Sequence, residues 1–130
     1  MKGRIIFEGK VSGKALVSSK PISFYGGVDP ETGIIVENNH PLQGKSIKDK
    51  ILVFPQGKGS TVGSYTIYRL SKCGKGPKAI INKNCETIVA VGAIISEIPC
   101  VDLIDITKIK TGNEIKIEKD KITVIKWQWN

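Results

Sequence analysis

Apolar and polar residues alternate near both ends of the chain and gather into solid runs in its middle, and the two textures predict different elements. Ile51–Phe54 is an unbroken apolar run stopped by Pro55, the mark of a strand buried on both faces. Residues 61–73 follow with Val62, Tyr65, Tyr68 or Arg69, and Leu70 at helical spacing, closed by Gly74. Residues 79–81 read as a second buried strand, 86–95 as a second helix ending before Pro99, and 100–104 as a third strand. The middle is therefore strand–helix–strand–helix–strand, a parallel unit with right-handed crossovers. Outside it, Arg4–Phe7 and 14–18 flank the turn at 9–13 and predict a hairpin. Glu114–Glu118 and 121–127 alternate around Lys119-Asp120 and predict another. Residues 22–25 and 34–37 are short β candidates, separated by a loop in which Gly26, Gly27 and Gly33 surround an Asp29-Pro30 step. The expectation is one α/β domain over 1–130, a central parallel unit with flanking β hairpins, without repeats or low-complexity segments.

Composition narrows the classes. At 130 residues the chain can bury one core without disulfides, and 40% apolar with 25% charged residues describes a globular chain. Its apolar runs are too short to span a bilayer, and Met1 to Glu8 has no secretory pattern, so a cytoplasmic location is expected. The formal charge is +8, carried by 18 Lys and only 2 Arg. Net charge is +3 over 1–50, +4 over 51–100 and +1 over 101–130, so there is no basic tail. Arginine is the side chain that forks onto guanine and phosphate, whereas a lysine excess marks a solvated surface. The acid-free cluster of Arg69, Lys72, Lys75, Lys78 and Lys83 reads as a helix end and its loop, where cations suit the helix dipole. A basic nucleic-acid-binding module stays open on charge, but clustered aromatics for stacking and an arginine stripe are missing.

The residues of ordinary active sites are scarce. Cys73, Cys85 and Cys100 are odd in number and spaced unlike any zinc or redox motif, so they read as structural, in a reducing compartment. His40 is the only histidine, which excludes a Ser-His-Asp triad and a multi-histidine metal site. The chemistry concentrates at Phe54-Pro55-Gln56-Gly57-Lys58-Gly59-Ser60-Thr61-Val62-Gly63-Ser64-Tyr65, where a buried strand empties into a Gly-Lys-Gly turn ahead of a helix. Ligands of parallel units sit off the carboxyl ends of the strands. Glycines let backbone amides crowd a bound group, and donors around a serine hydroxyl favour its alkoxide, one route to a serine base without histidine. The spacing is not that of a Walker loop. Spacing alone favours a plainer account, with Ser60 as helix N-cap and the glycines as a tight turn.

The stretch Ile22-Ser23-Phe24-Tyr25-Gly26-Gly27-Val28-Asp29-Pro30-Glu31-Thr32-Gly33, then Leu42-Gln43-Gly44-Lys45-Ser46 and the block from Lys50 to Tyr65, resembles the small subunit, or swivel domain, of the aconitase X family. The resemblance continues through Gly76-Pro77-Lys78-Ala79-Ile80-Ile81-Asn82 and 90–99, and covers about residues 3–125. It implies a swivelling β/β/α domain that places a Gly-Ser loop over an iron–sulfur cluster held by a large partner subunit, with no metal on this chain. It also implies a heteromeric hydro-lyase of an archaeal-type mevalonate pathway, dehydrating (R)-5-phosphomevalonate to trans-anhydromevalonate 5-phosphate. Ser60 falls on the family's proton acceptor. Ordinary aconitases continue the serine loop into an arginine that grips a carboxylate; Thr61-Val62 stands here instead, leaving Lys58, the amides around Gly59, or the partner to bind the anion. Gly26, Gly27 and Asp29 either make a turn or lie beside Ser60 at the subunit junction, with Asp29 orienting a donor. Ser64 either positions Ser60 or occupies a helix surface, and Trp127 and Trp129 serve strand-end packing or a partner contact. The alternatives are a related hydroxy-acid dehydratase of the cis-3-hydroxyproline type, the nucleic-acid module, and a free-standing small-molecule-binding domain.

Overall fold

The computed structural model describes residues 1–125. Its elements in chain order are β1 (Arg4–Phe7), β2 (Lys10–Val17), β3 (Ile22–Ser23), β4 (Ile51–Phe54), β5 (Gly57–Lys58), α1 (Gly63–Lys72), β6 (Ala79–Asn82), α2 (Thr87–Ser96), β7 (Cys100–Asp102), β8 (Glu114–Glu118) and β9 (Lys121–Ile125). Seven strands share one sheet in the order β1-β7-β6-β4-β2-β8-β9, and β3 pairs with β5 in a small parallel sheet of its own. The predicted parallel unit β4, β6, β7 is present and β2 extends it, lying parallel to β4. The predicted β8–β9 hairpin is also present; the last residues of that segment, with Trp127 and Trp129, lie outside the described residues.

The sheet curls until its edges meet. Lys2 bridges Lys121, the Met1 ammonium donates to the Ile122 carbonyl at 2.6 Å, and Ile122 N donates back to the Met1 carbonyl at 2.7 Å. Successive side chains of a strand face opposite ways, so each central strand buries both faces. Ile51, Val53, Ala79 and Ile81 fill the curl together with Ile115, Ile117 and Ile122. Leu52, Phe54 and Ile80 face outward beneath the helices, against Ile67, Leu70, Val89 and Ala93. This two-sided burial is why those strands appear in the sequence as solid apolar runs rather than alternations.

The N-terminal hairpin does not form. β1 pairs antiparallel with β7, and β2 pairs with β4 and β8. The cause is a long-range charge pairing: Arg4 Nε and Nη2 donate to Asp102 Oδ1 and Oδ2 at 2.9 and 2.7 Å. Asp102 is fully buried and also accepts from Cys85 N at 2.8 Å, so its carboxylate is satisfied only when β1 docks there. Residues 22–25 and 34–37 contribute less strand than expected, just Ile22–Ser23 and isolated bridges at Val28–Ile35 and Ile34–Ser46. Positive φ at Gly26, Gly33, Asn39 and Gly44 keeps the chain turning through that stretch.

Both helices lie where they were expected. α1 ends at Cys73 before Gly74 (φ +71°), and Arg69 and Lys72 occupy its last turn, so part of the acid-free basic cluster complements a helix C-terminus. α2 starts at Glu86, whose carboxylate accepts from Ile88 N (2.7 Å) and Val89 N (3.2 Å). The helices touch at Gly92, where a Cβ would stand 2.6 Å from Ile67 Cδ1.

Candidate functional site

β5 carries the chain out of the parallel unit and into the serine loop. Glu86 anchors its start: the same Oε1 that caps α2 accepts from Gly57 N at 3.1 Å, and a side chain on Gly57 would run into that oxygen at 2.5 Å. β3 lies alongside, Ser23 opposite Lys58. Gly59 turns the chain at φ +89°, and a Cβ there would sit 2.6 Å from Ser23 Oγ. The glycines of the Gly-Lys-Gly turn therefore answer to two defined neighbours as well as to backbone conformation.

Ser60 is not the residue that caps α1. That position belongs to Val62, which makes no side-chain cap bond. Ser60 stands exposed two residues earlier, its Oγ accepting from Val62 N at 3.1 Å and its carbonyl accepting from Gly63 N at 2.9 Å. The hydroxyl thus lies against the amide of the residue that caps α1, where that one donor and the positive end of the dipole favour a negatively charged oxygen.

The structure brings Gly26 and Gly27 to this loop. With Ser23, Tyr25, Glu37, Lys58 and Gly59 they line an open depression of about 450 Å³. Gly27 is held tight, since a Cβ there would fall 2.1 Å from the Ser23 carbonyl oxygen. Lys58 points at Glu37, Nζ to Oε2 2.9 Å, and Glu37 Oε1 also accepts from Ser23 N at 3.4 Å. Burial by itself raises the Glu37 carboxyl, but the hydrogen bond and charge of Lys58, together with the Ser23 amide and the nearby His40, hold the group below its ordinary value. Nothing in the local sequence signals Glu37, which lies 21 residues from Lys58 and meets it only through the fold.

Other candidates sit elsewhere. Asp29 accepts from Glu31 N at 2.9 Å through its own Oδ1 and shapes its turn; it lines a second groove of about 400 Å³ with Tyr25, Val62, Tyr65 and Arg69. Ser64 is buried and donates to the Ile88 carbonyl at 2.6 Å, tying α1 to α2 rather than reaching Ser60. Thr61 is exposed and borders a third depression, of about 260 Å³, between the first turns of the two helices. Ser60 occupies the crest between the three, its neighbours Gly59, Thr61 and Val62 each lining one or more of them. Among the described residues no group of three His, Cys, Asp or Glu side chains could hold a metal ion. Cys73 is exposed and Cys100 buried, its thiol pushed up by a hydrogen bond with Cys85 and by burial, which leaves it a poor nucleophile. His40 is buried in a turn, Nδ1 accepting from Leu42 N at 3.0 Å and Nε2 3.0 Å from the Pro21 carbonyl.

Comparison with known proteins meets the same segments. Residues 1–126 match the family described as the aconitase X swivel domain. The chain belongs to that family. This aconitase X swivel domain is 59% identical over 121 residues to the phosphomevalonate dehydratase small subunit of Thermococcus sibiricus, covering 93% of each chain. It is 57% identical over 120 residues to the protein of that name from Methanosarcina acetivorans, covering 90% of this chain and 83% of that one. Its fold matches the crystal structure of Thermococcus kodakaraensis aconitase X in the holo-form with a TM-score of 0.94 and 54% identity, over 96% and 97% of the two chains. The resemblance carried by the Gly-Gly-Val-Asp-Pro and Gly-Lys-Gly-Ser-Thr motifs therefore extends to the whole swivel-domain fold.

Proposed function

We propose that this chain is the small subunit of a heteromeric iron–sulfur hydro-lyase that dehydrates (R)-5-phosphomevalonate, with Ser60 Oγ as proton acceptor. The observation that carries the reading is the serine loop itself: an exposed hydroxyl on a glycine-built turn, against the amide of the residue that caps α1, in a chain whose relatives at 55–59% identity are named phosphomevalonate dehydratase small subunit. The cluster that the family implies is assigned here to the large subunit. There it supplies a Lewis-acidic iron for the departing hydroxyl.

What this chain contributes is the proton step. Ser60 Oγ, as the oxyanion, takes the proton from the carbon beside the substrate carboxylate; the electron pair forms the carbon–carbon double bond as the C–O bond on the next carbon breaks and hydroxide departs, and the proton that Ser60 later gives up balances that hydroxide as the water released. The Val62 amide and the helix dipole favour the oxyanion form of the serine that this step needs. Gly59 keeps the loop close to Ser23, and Glu86 fixes its root, so the hydroxyl is held on a rigid element rather than a free loop. Lys58, oriented by Glu37 at 2.9 Å, faces the depression beside Gly26 and Gly27 and gives the substrate's anionic groups a cation from the residue two before Ser60, since no arginine follows the serine. A mevalonate-pathway role accords with the relatives' names.

The test is substrate profiling of the reconstituted complex. The chain mixed with its large subunit should dehydrate (R)-5-phosphomevalonate and leave cis-3-hydroxyproline untouched. Turnover of the latter alone would replace the substrate assignment, and tight binding of mixed oligonucleotides at physiological salt would replace the enzymatic reading.

A further inference from the structure

We infer that the large subunit seats on an apolar band running from Tyr25 across the serine loop, through Val62 and Tyr65, onto Val91 and Ile95 of α2. The inference rests on the heteromeric reading above and adds where the two chains meet.

The outer face of α2 is the anomaly that points to it. Thr87–Ser96 contains no charged residue, and its inner face, Val89, Gly92 and Ala93, is already buried against the domain. A helix on a free surface carries polar residues outward. Here Val91 (40%), Ile94 (48%) and Ile95 (41%) stay exposed at spacings of three and four, as one stripe. That stripe is not isolated. Val91 and Ile88 wall the 260 Å³ groove whose other wall is Thr61, Val62 and Tyr65, and Tyr65 is 69% exposed. Val62 and Tyr65 also line the groove that Tyr25 borders on the far side. Large exposed aromatic and aliphatic side chains in a continuous patch are the composition of an interface centre, not of open surface.

Two observations choose the occupant. Ser60 stands on the crest that the band crosses, open to solvent, and a proton abstraction beside a carboxylate needs that water excluded. A surface that closes the site must therefore land on the residues around Ser60, and those are the band. The relatives are small subunits by name, so a larger chain is what closes it. The rim adds polarity: exposed Lys72 stands in the last turn of α1, near Arg69, which already lies 3.9 Å from Glu31, and the lysine calls for a carboxylate on the edge of the partner's otherwise apolar face.

The test titrates the full chain against the full large subunit and measures affinity, with no reference to turnover. Val91→Glu/Ile95→Glu changes two exposed positions to a good helix former and should weaken binding about 100-fold. Tyr65→Ser, at a side chain with little packing to lose, should weaken it about tenfold. Ile125→Asp, at a comparably exposed apolar residue of β9, three strands from β4 in the sheet, should leave it unchanged. Thermal melting checks that each variant is folded, and Tyr65→Ser carries the test if the double variant is not. Binding within threefold of wild type for both band variants overturns the inference. So does self-association of the isolated chain that the double variant abolishes, since a second copy would then occupy the band. If the unaltered chain fails to bind the large subunit at all, the heteromeric reading falls first.

Discussion

Gly59→Ala isolates what the serine loop requires. Two separate effects oppose the added methyl. The backbone sits at φ +89°, which costs an L-residue about 1–2 kcal/mol. The new Cβ also meets Ser23 Oγ at 2.6 Å, so Ser23 must turn and give up its bond to the Tyr25 carbonyl (3.2 Å), about 1 kcal/mol more. The expected loss is about 2–3 kcal/mol by urea denaturation of the isolated chain. The two parts can be separated with Ser23→Ala, which deletes the clashing oxygen and leaves a Cβ at an ordinary 3.5 Å. In that background Gly59→Ala should cost only the backbone part, a coupling of about 1 kcal/mol. In the complex, a displaced Ser60 should lower kcat about 100-fold, and Ser23→Ala should return part of it. Equal costs in both backgrounds would refute the close approach of β3 to the loop, and a cost below about 0.5 kcal/mol would refute the strain as well.

Three further outcomes follow from the same geometry. Glu37 has a folded-state value below its ordinary 4.5, so its pairing with Lys58 stabilises the fold at neutral pH and is lost as pH falls through that lowered value. Glu37→Gln should therefore destabilise the chain near neutral pH and not in strong acid; a pH-independent cost by urea denaturation contradicts the pairing. Lys58→Met should raise KM for the phosphorylated substrate about tenfold with a smaller change in kcat, and an unchanged KM would remove Lys58 from anion binding. Gly92→Ala should be net destabilising by about 1 kcal/mol, because overpacking against fully buried Ile67 exceeds the helix-propensity gain. Ile67→Val deletes the Cδ1 atom at 2.6 Å and should relieve that loss in the thermal melt, whereas additive effects would mean the helices do not meet there.

What could be read from the sequence was set by the range of the interaction behind it. β4, β6 and both helices were legible because two-sided burial and 3.6-residue periodicity are local patterns. The local pattern of β1 predicts a hairpin, whereas its pairing with β7 is fastened by Arg4 and Asp102, 98 residues apart. The site divides the same way. Gly57, Gly59 and Ser60 fall within four residues of one loop and stand out together, while Ser23, Glu37 and Glu86 enter from other elements, and no motif marks Glu37 or Glu86. The capping role that the spacing favoured for Ser60 went to Val62, since the chain needs two more residues to turn from β5 into α1. Ser64 looked like surface or support for Ser60, and only the packing of α2 shows that its hydroxyl belongs to the Ile88 carbonyl.

If this chain supplies the proton acceptor, Ser60→Ala in the reconstituted complex removes it. The Ser60 hydroxyl is exposed and its one side-chain bond is to the adjacent turn, so the variant should fold and bind the large subunit as the unaltered chain does. Exchange of the substrate's α-proton with solvent deuterium and dehydration of (R)-5-phosphomevalonate should both fall by about 1,000-fold or more. Near-normal turnover with the alanine in place would mean that the base lies elsewhere.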